Sequence, residues 1–249
     1  MSVSVGSMRR ALALASVAII VVACGGMAPS GAPSVVSSEA TSSPAVVAGD
    51  APSSGSVVAK LQADPLTVHV EQTATAKTTA LGTTSETTVA SSIDLDGADV
   101  SVAVTARAGD QELRQGLIVV GDTAYVREGE AAWQSTQASV VEATVANLLA
   151  SVRLVEDAAA LRYVGPDSVE GQALHHFTST RTITYVPAAG GTGQYDVFDL
   201  WVLADGTPVL AKTTFSVTTT DGSTGTGTTD FRFSKYGGPI DINAPVPSP

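Results

Sequence analysis

The chain holds one thiol, Cys24, and three imidazoles, His69, His175 and His176. A lone cysteine has no intramolecular disulfide partner, so its chemistry is that of a nucleophile open to covalent modification. It closes Val21-Val22-Ala23-Cys24, after the uncharged run Ala11–Ala23 and behind Arg9 and Arg10. A basic start, a short apolar run and a small residue before a cut describe a secretory signal. The run is about 13 residues, short of the roughly 20 that a membrane-crossing helix needs. The imidazoles promise less. His175 and His176 are neighbours in a strand-like run, so they point to opposite faces and cannot share a metal. His69 sits on the polar phase of another strand. Asp94-Leu95-Asp96-Gly97 opens like a calcium loop but lacks the distal Glu, and reads as a hairpin turn. Asp196, Asp199 and Asp205 are close in sequence. Asp205 is accounted for by its turn, and Asp199 shares a phase with Trp201 and Leu203 as a semi-buried polar contact. There is no Gly-x-Ser-x-Gly elbow and no phosphate-binding Gly-Lys-Ser/Thr loop. Gly190-Gly191-Thr192-Gly193 precedes no helix. The expectation is a protein that is not an enzyme, with no catalytic residue, no metal and no cofactor.

Cysteine directly after Val-Val-Ala resembles the lipobox of bacterial lipoprotein signals. The resemblance implies that the Cys24 thiol receives a diacylglyceryl group and that the signal is cut before it. The new amino terminus is then acylated, with palmitate for example. Two acyl chains, at about 0.8 kcal/mol per buried methylene, hold such a protein on a membrane with on the order of 20 kcal/mol. The expected address is the outer face of the cytoplasmic membrane. The formal charge of −11 becomes −13 when Arg9 and Arg10 leave. An acidic chain is repelled by nucleic-acid phosphates and by anionic lipid headgroups. The membrane contact therefore falls to the acyl anchor. Few lysines and abundant Ala, Val, Thr and Gly suggest a high-GC genome such as that of an actinobacterium.

The organisation that follows is residues 1–23 as signal, 24–56 as lipidated cysteine and tether, and 57–249 as one folded domain. Gly25–Ser56 is rich in Gly, Ala, Pro, Ser and Val, with Glu39 and Asp50 as its only charges. It cannot bury enough surface to offset its ordering entropy and reads as a disordered linker. Its root-mean-square span is roughly 30 Å, and its stretched length about 105 Å.

Val57–Ala63 reads as a short helix stopped by Asp64-Pro65. Period-two alternation then begins. Leu66, Val68, Val70, Ala74 and Ala76 take one phase; Thr67, His69, Glu71, Thr73, Thr75 and Lys77 take the other. Val100–Ala106 and Val209–Val217 repeat the pattern. Asp96-Gly97, Gly121-Asp122, Asp205-Gly206 and Asp221-Gly222 mark tight hairpins. One segment breaks the rule. Gln137–Val152 places Val141, Val145, Leu148 and Val152 on one side of an amphipathic helix, with Leu149 beside them and Ser135 or Thr136 as cap. The expected fold class is α+β: a large curved antiparallel sheet, a half-barrel meander of about nine to eleven strands, packed on one main helix and a short N-terminal helix.

Several local features carry a wider resemblance. They are Val120-Gly121-Asp122-Thr123-Ala124-Tyr125-Val126 followed by Trp133, then Val169-Glu170-Gly171-Gln172, then Trp201-Val202-Leu203-Ala204-Asp205-Gly206-Thr207-Pro208, and at the end Phe233-Ser234-Lys235-Tyr236-Gly237. In this order, behind a lipobox and a tether, they resemble the mycobacterial LppX/LprG lipoproteins, which are similar in fold to the carriers LolA and LolB. The resemblance implies a half-barrel with an apolar cavity for a lipid or lipoglycan, used in envelope transport or assembly, and a membrane transporter as hand-off partner. The cavity wall expected here is Val141, Val145, Leu148, Leu149, Val152, Trp133 and Trp201. Two alternatives stay open at this point. The helix residues fill a dry core, or the domain is a structural, interaction or sensor module without a ligand cavity.

Overall fold

The computed structural model describes residues 50–80, 83–155, 157–185 and 191–246. Cys24, the signal and most of the tether lie outside them. The fold is α+β, an unclosed curved antiparallel sheet of twelve strands with two helices.

Helix α1 (Ser54–Leu61) begins three residues before the expected Val57. The cause is Ser53, whose hydroxyl accepts from the Ser56 N–H at 3.1 Å and satisfies one orphan donor of the first turn. Val57 and Leu61, one turn apart, are the residues it buries. Gln62 donates to the Val155 carbonyl at 2.8 Å, and the Tyr236 hydroxyl donates to the Lys60 carbonyl at 2.7 Å. Burial holds the Tyr236 phenol above its ordinary pKa.

The strands form two sequential runs. β1 (Thr67–Ala80), β2 (Thr83–Asp96), β3 (Asp99–Ala108), β4 (Gln111–Val120), β5 (Thr123–Glu128) and β6 (Gln134–Gln137) pair in chain order. Then come β7 (Leu161–Val169), β8 (Gln172–Ser179), β9 (Ile183–Tyr185), β10 (Thr192–Val202), β11 (Pro208–Thr218) and β12 (Thr224–Ser234). β12 pairs with β1 and joins the two runs at the centre, and β9 pairs with β10 off the main path. Each expected turn glycine, Gly97, Gly121, Gly206 and Gly222, has a positive φ.

The second helix, α2 (Glu142–Arg153), lies between β6 and β7, the two edges of the sheet. It starts later than expected. Ser135 and Thr136 are not its caps, because they pair with Tyr125 and Ala124 as the edge strand β6, and a single 3-10 turn, Ala138–Val140, intervenes. The link joins one edge of the curved sheet to the other. Eleven strands laid flat would part the edges by about 48 Å at roughly 4.8 Å per strand. A helix of 12 residues covers about 18 Å of that. The remaining residues of the link, two 3-10 turns among them, make up the rest only when drawn out nearly straight, and the curl of the sheet shortens that path.

Candidate functional site

Alternation along the strands gives the sheet an inner face, toward the helices, and an outer face. The inner face changes character along the strands. In one half, Val68, Val70, Ile93, Leu95, Phe231 and Phe233 join the helix residues in one apolar cluster. Of the expected wall, Val141, Leu148 and Val152 are buried in that cluster, and Val145 and Leu149 are partly buried against it. Each fully buried aliphatic side chain contributes roughly 1.5–3 kcal/mol. Helix α2 ends at Leu154 with φ 52° and ψ −53°, where the Val155 N–H donates to the Arg153 carbonyl at 2.5 Å. This γ-turn with positive φ is a strained stop for a residue with a Cβ.

The other half of the inner face belongs to no part of that cluster. Gln72, Ala76 and Thr78 of β1, Ser91 and Thr87 of β2, and Thr213, Phe215 and Thr229 of the opposite strands are buried there. The Ser91 hydroxyl donates to Gln72 Oε1 at 3.0 Å. Among the described residues, the hydroxyls of Thr78 and Thr87 are buried without a partner, as are Nε2 of His175 and Nε of Arg153. An unsatisfied buried hydroxyl costs about 1–3 kcal/mol. At Gly227 the inner face has no room for a side chain: a Cβ there would lie 2.2 Å from the Thr75 carbonyl oxygen and 2.6 Å from Cζ of Phe215.

Trp133 and Trp201 lie on the outer face, away from the five helix residues expected to join them. Trp133 covers Gly116, where a Cβ would come within 2.7 Å of its ring, and Arg127 sits 4.6 Å over the ring centroid. Gly116 and Arg127 alternate with the inner residues Leu117 and Val126, which fixes the face. Trp201 alternates with inner Leu200 and Val202 and stacks on His176 with ring centroids 4.7 Å apart and 6° between planes. Its indole N–H donates to Asp167 Oδ2 at 2.8 Å, which lowers the Asp167 pKa. Nε2 of His176 lies 2.9 Å from Asp199, so Asp199 is the semi-buried contact that its phase suggested.

The histidines divide as their adjacency requires. His175 faces inward, 2% exposed, with Nδ1 3.2 Å from the Tyr163 hydroxyl; His176 faces outward. His69 lies between Asp94 at 2.7 Å and Glu71 at 2.9 Å on the outer face. Asp96 accepts from the Thr67 hydroxyl beside the hairpin turn. Among the described residues no group of three or more His, Cys, Asp or Glu is placed to hold a metal ion. Among them, too, no helix is long and apolar enough to cross a membrane.

The outer face carries one feature that sequence reasoning missed. Glu170 sits in the β7–β8 turn with φ 52°, and both its carboxylate oxygens accept from Arg232 on β12, at 2.7 and 3.1 Å. Strands β10 and β11 lie between them, so the hairpin bends over the outer face. Leu174 and Leu210, which face outward, are buried by this fold-over. Val169-Glu170-Gly171-Gln172 announces the turn, but nothing in the sequence announces the partner 62 residues on.

No protein-family model matches the chain, and no curated protein matches it. Among solved structures, a DUF1329 family protein from Desulfovibrio piger shares 13% identity over 75% of this chain and 93% of its own, with a TM-score of 0.28. A domain assigned as an outer membrane lipoprotein-sorting protein from Vibrio parahaemolyticus shares 10% identity over 67% and 85%, with a TM-score of 0.26. Likeness at these scores carries no argument about function.

Proposed function

We propose that this chain is an exported lipoprotein of the LppX/LprG type, anchored through Cys24, that binds a lipid, lipoglycan or other apolar ligand on the inner face of its sheet. The observation that carries the reading is the mismatch between that face and its helical cover. Strands β1 and β2, of 14 residues each, run about 46 Å. Helices α1 and α2, of 8 and 12 residues, run about 12 Å and 18 Å. They cover one half of the trough. The half they cover is the one rich in Val, Ile, Leu and Phe. Those side chains are already buried against the helices, so an acyl chain enters by displacing α2 and gains about 25 cal/mol for each Å2 of its own apolar surface removed from water, without regard to its headgroup. Access runs beside α2, which is held at one end by a short edge strand and at the other by the strained turn at Leu154.

The test is copurification. The Cys24→Ala chain, which carries no covalent lipid, is expressed with its signal in a bacterial host, purified without detergent and extracted with organic solvent. Mass spectrometry is expected to find host lipid at near-stoichiometric amounts. An extract free of lipid overturns the reading and leaves an interaction or sensor module.

A further inference from the structure

We propose that the helix-free half of the inner face is a subsite for an uncharged, hydroxyl-bearing headgroup, continuous with the apolar half where the chains of the same amphiphile lie. The inference rests on the reading that the inner face takes a lipid, and adds the class of headgroup. Thr78 and Thr87, 4% and 3% exposed, stand on this half with buried hydroxyls that meet no partner among the described residues. They are diagonal neighbours on paired strands: Thr78 lies opposite Ser85, and Thr87 opposite Ala76, two residues further along each strand. Diagonal side chains on one face are about 7–8 Å apart, a span that one or two ligand hydroxyls bridge. A threonine hydroxyl both donates and accepts, as an alcohol does, so the match is mutual. Valine has the same shape and would remove the desolvation cost of an orphan hydroxyl, which makes two such threonines costly unless something else satisfies them.

The surroundings exclude a charged headgroup. No inward position of β1 from Gln72 onward, of β2 up to Ser91, of β11 from Thr213 onward or of β12 up to Thr229 carries a charge. The charges of these stretches, Lys77 and Glu86, take the outward phase. A phosphate brought here would be desolvated with no cation to meet it. The two halves also meet without a break. Gln72, bonded to Ser91, pairs with Phe231 of the apolar cluster in the next strand.

The test uses the full chain carrying Cys24→Ala, so that it does not anchor itself. It is mixed with phosphatidylcholine vesicles doped equally with 1-palmitoylglycerol, methyl palmitate or palmitoyl lysophosphatidic acid. Lipid that leaves the vesicles with the protein is counted. The expected result is about tenfold more 1-palmitoylglycerol than either other probe. Thr78→Val/Thr87→Val is expected to bring 1-palmitoylglycerol down to the methyl palmitate level and leave methyl palmitate unchanged. Its melting temperature, at or above that of the parent, certifies the fold, and Thr78→Ser/Thr87→Ser keeps the preference. Equal uptake of 1-palmitoylglycerol and methyl palmitate by the parent overturns the headgroup subsite alone. So does a preference that survives in the valine variant, which would leave those hydroxyls to an internal water. Preferred uptake of the lysophosphatidic acid overturns the neutral chemistry. Competition by free glycerol at the lipid's concentration overturns the amphiphile and points to soluble polyols. No uptake of any probe overturns the lipid reading together with this one.

Discussion

Gly227 is where a single side chain would cost the sheet most. Its inward Cβ position is already taken by the Thr75 carbonyl oxygen at 2.2 Å and the Phe215 ring at 2.6 Å, and the first of these is backbone that cannot swing aside. Gly227→Ala must push β12 away from β1 at the centre of the sheet. Overpacking costs about 1–3 kcal/mol or more, and each kcal/mol lowers the melting temperature of a domain this size by roughly 2–4 °C. The expected fall is on the order of 5–10 °C in a thermal melt. Gly55→Ala is the contrast. That glycine lies in α1 with Ser53 Oγ no nearer than 3.7 Å, and replacing it is expected to leave the melt unchanged or raise it slightly. Equal melts for the two variants would refute the close approach at Gly227. This residue also marks a limit of sequence reading. Thr224-Gly225-Thr226-Gly227-Thr228-Thr229 resembles a loop, because interior glycines weaken a strand and offer nothing to pack. The structure makes it a central strand, with the glycines inward and no room for a Cβ at Gly227. Gln72 was legible in principle. It interrupts the apolar phase of β1 between Val70 and Ala74, at the point where the inner face turns polar.

At the scale of elements, hairpins and helices were readable where their signals are local. Turn glycines, alternation along β1, β3 and β11, and the four-three-four spacing from Val141 into α2 depend on neighbours in sequence. The start of α2 was not readable, because Ser135 and Thr136 suit a helix cap as well as an edge strand, and the choice is made by β5. The β7–β8 hairpin was readable as a turn and not as a flap, since its clasp is distant in sequence. That clasp makes it sensitive to acid. The Trp201 N–H lowers the Asp167 pKa, and the Arg232 guanidinium lowers that of Glu170. A carboxylate with a lowered folded pKa contributes stability above its unfolded value, and loses it as pH falls through the folded one. The hairpin is therefore expected to stay clasped from pH 8 to 5 and to loosen below about 4, the ordinary carboxylate range. Trp201 reports this by fluorescence in a Trp133→Phe background. Its emission is expected to shift to the red only on the acid side, and Glu170→Gln is expected to move the onset to higher pH. A transition centred between pH 6 and 7, above the carboxylate range, would refute the carboxylate clasp.

For the whole molecule, the sheet tells what is enclosed and the proposed anchor tells where. The described domain begins at residue 50, so a tether from Cys24 leaves it within about 85 Å of its membrane when stretched and nearer on average. The body brings no attraction of its own. The chain is −11 overall, and an anionic bilayer repels it within a Debye length of about 8 Å at physiological salt. Covalent lipid and surface charge therefore predict opposite salt responses. An acylated chain is expected to stay in the membrane fraction at 1 M salt, because screening removes only a repulsion and leaves acyl burial intact. Cys24→Ala is expected to move to the soluble extracytoplasmic fraction at every salt concentration, with an unchanged melting temperature, since Cys24 precedes the described domain. Intact mass closes the argument: membrane-extracted protein should begin at Cys24 and carry the added mass of a diacylglyceryl group and a fatty acid. Retention of Cys24→Ala on the membrane would overturn the anchor and shift the membrane contact to the folded body. Release of the parent chain by salt alone would do the same.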